Sequence, residues 1–164
     1  MQPWGCSNPA REEPDMTTDY DRIEREIVID APAQRVWDLV SEPGWYINDE
    51  QITEHQIDRD GDIAIVTDPT HGKFALRTVE LDEPRYAAFR WHIDADDLES
   101  SSTLVEFWIT PAQSGVVLRV VESGFAALDE PEVNRRSRFD DHSGGWSLEL
   151  GLARKYLVGA AADA

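Results

Sequence analysis

The sequence predicts an α+β fold in which a curved, seven-stranded antiparallel sheet wraps around one long C-terminal helix. Three observations predict this fold. Residues 20–30 alternate between apolar and polar side chains, which is the period of a half-buried strand. Residues 51–124 hold six further β-rich runs separated by turn signals, and residues 132–158 carry an apolar stripe at helical spacing. Because a single sheet must bury its apolar face, the sheet is expected to close around that last helix.

The first strand is expected to end abruptly and to lead into two short helices. Ala31 and Pro32 stop the alternation, and an apolar spacing typical of a helix follows over residues 33–40. Pro32 favours this start because its fixed φ suits the first turn of a helix. Pro43 and Gly44 both oppose continuation of that helix, so a second short helix is expected directly after them.

The remaining strands are expected to form an antiparallel meander. Their predicted ranges are 52–58, 62–68, 73–81, 86–94, 103–110 and 116–123. Asp60 and Gly61 form a two-residue hairpin signal, and the other connections are also short and rich in turn-forming residues. Short connections leave little room for crossover helices, so neighbouring strands are expected to pair in antiparallel order.

The composition favours a single acidic domain. The 164 residues fit one domain, predicted over residues 19–160, with a flexible tail over residues 1–18. The formal net charge is −18, from 33 acidic and 15 basic residues, and such a charge repels nucleic acid and anionic lipid. We therefore expect neither a nucleic-acid partner nor a membrane partner.

The residue types that bind metals or form redox centres are sparse and poorly spaced. Cys6 is the single cysteine, which excludes an intrachain disulfide and a cysteine-rich zinc site. His55, His71 and His142 have no His or Glu partner at the spacing of a helical metal site. We therefore predict no metal and no cofactor. The first fifteen residues lack a signal-peptide pattern, and together with the single cysteine this predicts a cytoplasmic location.

Several short motifs resemble a known superfamily. They are IDAPAQRVWDLV at 29–40, EPGWY at 42–46, FRW at 89–91, VVESGF at 120–125 and GW at 145–146. In their order and spacing over residues 20–158 they resemble the START-like helix-grip superfamily, often labelled SRPBCC. Within it, they are similar to the C-terminal domain of the activator of heat-shock protein 90 ATPase. The resemblance implies seven antiparallel strands gripping a long helix, with a cavity between them. Members include lipid and hormone binders, polyketide cyclases and aromatases, so the fold alone does not fix the function.

Strand parity predicts which side chains face such a cavity. Phe107 shares an apolar face with Val105 and Ile109, and Glu122 shares a face with Val120. A carboxylate on an apolar face can serve as a general base, or it can anchor a ligand hydroxyl or amine. Glu122 is therefore the candidate catalytic residue. The alternative is that Glu122 lies at the strand end, where it is hydrated or paired with an arginine.

The predicted ligand-binding residues combine this acid with aromatic and aliphatic side chains. They are Trp45, Tyr46, Phe74, Leu76, Trp91, Phe107, Glu122, Phe125, Trp146 and Leu150. Apolar walls with few polar groups are typical of small-molecule pockets. The alternative interpretation is that at least half of these rings are simply core.

Three functions remain open from the sequence. The leading hypothesis is non-catalytic binding of a small hydrophobic molecule, such as a lipid, between the sheet and the C-terminal helix. It requires an apolar pocket of at least roughly 300 Å³. The second is a polyketide cyclase, aromatase or dehydratase in which Glu122 or a nearby tyrosine moves protons, and it requires Glu122 to be buried beside another polar group. The third, an interaction module acting on a chaperone, is the least favoured. A homodimer stays an open alternative.

Overall fold

The computed structural model describes residues 20–162 of the chain, with side chains up to residue 158. The elements are β1 (Arg22–Ile29), α1 (Ala33–Val40), β2 (Gln56–Asp60), β3 (Ile63–Asp68), β4 (Gly72–Asp82), β5 (Tyr86–His92), β6 (Ser102–Pro111), β7 (Val116–Ser123) and α2 (Glu132–Ala162). A short 3₁₀ helix, Phe125–Ala127, lies between β7 and α2. The predicted tail over residues 1–18 lies outside the described residues.

The seven strands form one antiparallel sheet, which confirms the predicted fold class. The strand order is β1-β7-β6-β5-β4-β3-β2. Strands β2 to β7 pair with their neighbours in sequence, whereas β1 pairs with β7 at the far end, with Ile23 opposite Glu122. β2 begins at Gln56 rather than near residue 52. The preceding segment makes side-chain contacts instead, since the Thr53 N–H bonds to Asn48 Oδ1.

One short helix follows β1, where the sequence led us to expect two. α1 begins after Pro32 and ends at Val40. Residues 41–46 form consecutive turns instead of a second helix. Gly44 explains this difference, because its φ of +79° takes the backbone out of the helical region. A Cβ on Gly44 would lie 2.9 Å from Val66, so the turn packs directly on β3.

α2 packs on the inner face of the sheet and encloses the core. It has 31 residues and a length of about 46 Å, and it continues unbroken through Gly144 and Gly145. Arg25 of β1 donates a hydrogen bond to Ser147 Oγ of α2 at 3.2 Å. The buried apolar side chains of α2 are Trp146, Leu150, Ala153 and Leu157. No helix within residues 20–162 is long and apolar enough to cross a membrane.

Candidate functional site

A hydrogen-bonded network around Glu122 lies between the sheet and α2. Glu122 is fully buried. Its Oε1 accepts hydrogen bonds from Trp146 Nε1 and from His142 Nδ1, both at 2.8 Å. Its Oε2 accepts one from Thr103 Oγ1 at 2.6 Å. Three donors on one buried carboxyl group offset much of the free energy lost when water is removed from it. We call these four residues the Glu122 network.

The positions of these residues follow from the periods of strand and helix. Glu122 lies on the inward face of β7, as parity predicted. His142 and Trp146 are four residues apart on α2, so both side chains lie on the same side of the helix. Thr103 lies on β6, two residues before Val105, which is the cross-strand partner of Glu122. Two strands and one helix therefore supply the network, and neither the hydrated nor the arginine-paired alternative describes Glu122.

Aromatic rings surround the Glu122 network. The His142 ring stacks on Trp91, with centroids 4.6 Å apart and an interplanar angle of 23°. Tyr46 contacts Trp146 and Trp91, with centroids 4.8 and 5.0 Å apart. Burial, and then the charge of Glu122, raise the pKa of Tyr46 well above its usual range. Tyr46 therefore keeps its proton at physiological pH.

The ten predicted ligand-binding residues do come together, in the core beneath α2. All but Phe74 are buried, and Phe74 packs against the others. Their rings fill the space between sheet and helix. The cavity beside Trp91, Thr103 and His142 measures about 10 Å³, which is room for one water at most. A role of these residues in ligand binding stays a prediction.

A cavity of ligand size lies at the corner between β1 and α1. It measures about 1050 Å³. Its lining comes from residues 30–33, 82, 84–86, 108–111 and 115–116, and we call it the corner groove. Most of these residues are apolar or aromatic, and none of them belongs to the ten predicted from the sequence.

Tyr86 and Trp108 form the aromatic wall of the corner groove. Their ring centroids are 5.2 Å apart. The Tyr86 hydroxyl donates to Glu106 Oε2 at 2.6 Å, and burial together with this carboxylate raises the pKa of Tyr86. Arg119 lies over the Trp108 ring, with Cζ 4.9 Å from the centroid, and its Nε donates to Glu24 at 2.6 Å. Side chains of the outer sheet face thus hold both rings in place.

Of the residues that the structure describes, three charged ones line the corner groove. Arg85 Nη2 donates to Asp82 Oδ2 at 2.5 Å, so these two charges are paired. Asp30 accepts a hydrogen bond from the neutral Ser114 Oγ at 2.9 Å. Among the ion pairs of residues 20–158, none involves Asp30. The groove therefore has an unpaired carboxylate on its lining.

Asn48 and Glu149 fasten the segment between α1 and β2 to the middle of α2. Asn48 Nδ2 donates to Glu149 Oε1 and to the Trp45 carbonyl oxygen, both at 2.8 Å. Both side chains are buried. Burial raises the pKa of Glu149 to about 8, and the nearby charge of Asp49 adds to this effect, while the hydrogen bond from Asn48 partly offsets it. Glu149 is therefore mostly protonated at neutral pH.

A second cavity, of about 330 Å³, lies between α1, this same segment and the C-terminal part of α2. Trp45 contributes to its lining together with Tyr156. Four charged residues also line it, namely Arg35, Asp38, Glu42 and Glu54. This lining is more polar than that of the corner groove and is less suited to an apolar molecule.

Two histidine–aspartate pairs connect the segment between α1 and β2 to the strands β3 and β4 and the turn that joins them. His55 Nε2 lies 3.0 Å from Asp68 Oδ1, and His71 Nε2 lies 2.8 Å from Asp49 Oδ1. Within the described part of the chain, no group of three or more His, Cys, Asp or Glu side chains is arranged to hold a metal ion. We therefore assign these pairs a structural role, which is to attach the segment before β2 to the β3–β4 hairpin.

Sequence reasoning missed His142, Thr103 and Glu149. A signal existed for the two residues on α2, because His142 precedes Trp146 by four positions and Glu149 follows it by three. Both therefore lie on the buried stripe of the helix. The corner groove had no comparable signal, since its walls come from stretches that are far apart in the sequence.

Comparison with known proteins identifies the family and the fold. The family described as "Activator of Hsp90 ATPase homolog 1-like protein" matches residues 30–152. No curated protein matches the chain.

Solved structures of the same fold include three of note. Protein MLL2253 from Mesorhizobium loti has 18% identity and a TM-score of 0.65, over 84% of this chain and 97% of its own. DynU16, described as a putative protein in the dynemicin biosynthetic locus, has 18% identity and a TM-score of 0.62, over 85% of this chain and 48% of its own. The Aha1 dimer from Colwellia psychrerythraea has 15% identity and a TM-score of 0.58, over 83% and 95%. At such identities these likenesses show the fold alone, and they confirm the predicted helix grip.

Proposed function

The chain belongs to the activator of Hsp90 ATPase homolog 1-like family, and from this premise we propose that it binds a small, mainly apolar molecule in the corner groove without transforming it. The observation that carries the proposal is the size and lining of that groove, about 1050 Å³ with mostly apolar and aromatic walls. Small-molecule sites typically measure roughly 300–1000 Å³ and have a few polar groups on apolar walls. The corner groove matches this description.

The sequence predicts a ligand site between the sheet and α2, whereas the proposal places the ligand in the corner groove. A ligand beneath α2 would have to separate packed rings such as Tyr46 and Trp146, and each such pair contributes about 0.5–1.5 kcal/mol. It would also disturb the hydrogen bonds of the Glu122 network. The corner groove already has the required volume, so a ligand can enter it without that rearrangement.

Filling the corner groove with a side chain tests the proposal. Ala33 lies on its lining and is half-buried, so Ala33→Phe would occupy the space of the ligand. Ala126 is exposed on the 3₁₀ helix and outside the groove, so Ala126→Phe is the matched control. The probe is the uncharged dye N-phenylnaphthylamine, whose fluorescence rises in apolar sites. We expect Ala33→Phe to weaken dye binding about tenfold or more, and Ala126→Phe to leave it unchanged.

A second groove-filling variant keeps the test valid if Ala33→Phe does not fold. Thr110 is exposed and lines the groove, so Thr110→Trp adds bulk at a site that tolerates it. Thermal unfolding of each variant shows whether it folds. Equal dye binding by the wild type and by both folded, groove-filled variants would overturn the proposal.

One observation favours a second function, general acid–base catalysis of the cyclase type. Glu122 is buried beside His142, and this meets the condition that the enzyme hypothesis set. A carboxylate that accepts a hydrogen bond from Nδ1–H holds a histidine in one tautomer. Histidines that act as general acids or bases are often held in this way. The likeness to DynU16 supports this second function only at the level of the fold. The chaperone function has support only from the description of the family.

The second function is tested with a soluble thioester that carries several β-ketone groups. Formation of an aromatic product is followed by absorbance. If the protein has this second function, the wild type forms the product, Glu122→Gln falls to the uncatalysed rate, and Glu26→Gln, on the exposed face of β1, keeps the wild-type rate. Equal rates in the wild type and Glu122→Gln would rule this function out.

A further inference from the structure

The charge along the corner groove is unbalanced. Arg85 and Asp82 neutralise each other through their direct contact. Asp30 is exposed, and its hydrogen bond to Ser114 brings no positive charge. Within the part of the chain that the structure describes, the charged residues of the lining therefore sum to one negative charge, located at Asp30.

An anionic ligand would lack a suitable partner in this groove. Arg85 is the cationic side chain of the lining, but it is 71% exposed and already bound to Asp82. Exposed ion pairs of this kind contribute little free energy. A carboxylate or phosphate would also approach Asp30 and a chain whose formal charge is −18. The electrostatics thus disfavour fatty acids and other amphiphilic anions.

The aromatic wall suits the apolar body of a ligand. Tyr86 and Trp108 offer large ring surfaces, and Arg119 already covers one face of Trp108. A cationic group would therefore bind at Asp30 and not over Trp108. A molecule with an apolar body against Tyr86 and Trp108 and an ammonium group at Asp30 would use both features of the groove.

We propose that the ligand of the corner groove is a cationic amphiphile, an amine or quaternary ammonium on an apolar body, and that Asp30 selects it. This inference rests on the proposed function of the groove and adds the ligand class and the selecting residue. Because salt screens charges beyond about 8 Å at physiological ionic strength, the selection depends on Asp30 more than on the net charge of the chain.

Three probes with one skeleton test the charge preference: phenylbutylamine, phenylbutanol and phenylbutanoate. Their dissociation constants are measured by calorimetry at physiological ionic strength, where the net charge of the chain is largely screened. We expect the amine to bind about three- to fivefold more tightly than the alcohol, since an exposed ion pair adds only modest affinity, and the acid to bind most weakly. Asp30→Asn should bring the amine and the alcohol within about twofold of each other without changing the alcohol, because the amide can still accept from Ser114. Asp129→Asn removes the same charge at an exposed site outside the groove and should keep the preference.

The outcomes separate this inference from the proposed function. Equal affinity for amine and alcohol in the wild type, with both lost in Ala33→Phe, would overturn the charge preference and leave the groove as a neutral apolar site. Alcohol binding that Ala33→Phe does not weaken would instead contradict the proposed function itself. A preference that Asp129→Asn abolishes as fully as Asp30→Asn would assign the effect to net charge and overturn the role of Asp30.

Discussion

The side chains of Asn48 and Glu149 meet inside the protein, where the amide of Asn48 donates to the carboxyl group of Glu149 at 2.8 Å and both are buried. This contact joins the segment before β2 to α2. Glu149 Oε2 has no hydrogen-bond partner within the described residues, so a charge on this group would be poorly compensated. The stability of the fold is therefore linked to the protonation of one buried acid.

The first prediction concerns pH and Glu149. In the unfolded chain its carboxyl group loses the proton near pH 4.5, whereas the folded protein keeps it until about pH 8. The unfolded state thus binds fewer protons between these values, and this contribution to stability is lost as the pH rises. Glu149→Gln cannot ionise, so we expect it to be more stable than the wild type at pH 9, by about 2–5 kcal/mol, and similar at pH 5.

Urea unfolding followed by circular dichroism at pH 5, 7 and 9 measures this difference. Glu26→Gln, at an exposed position on β1, is the control and should follow the wild type at every pH. Parallel pH profiles for the wild type and Glu149→Gln would show that Glu149 is not buried in its neutral form.

The second prediction concerns the donors of the Glu122 network. Thr103→Val keeps the shape of the side chain but removes the hydroxyl that donates to Glu122 Oε2. A buried carboxylate oxygen then loses a donor, and we expect the free energy of unfolding to fall by about 1–3 kcal/mol. Thr67→Val is the control, because Thr67 is half-buried on β3 and its hydroxyl makes no hydrogen bond within residues 20–158. Thr103→Ser should restore most of the loss. Equal losses in Thr103→Val and Thr67→Val would contradict the importance of this hydrogen bond.

The third prediction compares two glycines with positive φ. A Cβ on Gly115, whose φ is +82°, would lie 2.1 Å from the carbonyl oxygen of Ile29. Gly61 has a φ of +65° and open space around it. We expect Gly61→Ala to cost about 1–2 kcal/mol, which is the backbone term alone, and Gly115→Ala to cost clearly more. Thermal unfolding measures both, and similar melting temperatures would mean that β7 does not approach the corner of β1 this closely.

The sequence was informative where a simple period governs the structure. The two-residue period of strands placed Phe107 and Glu122 on the inner face, and both are fully buried there. The partners of Glu122 were not predictable in the same way, because contact with His142 depends on how α2 lies across the sheet. Glu149 was not predicted because the buried face of the last helix was identified from its apolar residues alone.

The corner groove could not have been predicted from any local pattern. Trp108 alternates outward from the buried face of β6, and such a residue is normally interpreted as surface. Its neighbour Tyr86 comes from another strand, and Pro32 comes from the start of α1. The groove exists only because β-pairing and the turn after β1 bring these residues together. No periodic pattern in the sequence predicts that they lie close to one another.

The pairing of β1 with β7 has a consequence for the order of folding. Ile29 pairs with Val116, roughly ninety positions later, whereas β2 to β7 pair with sequence neighbours. Closing so long a loop is slow compared with forming hairpins, so β1 joins the sheet late. One wall of the corner groove follows β1 and another begins at β7. A chain still emerging from the ribosome therefore has no corner groove until the start of β7 has been synthesised, whereas α2, which does not line the groove, follows only later.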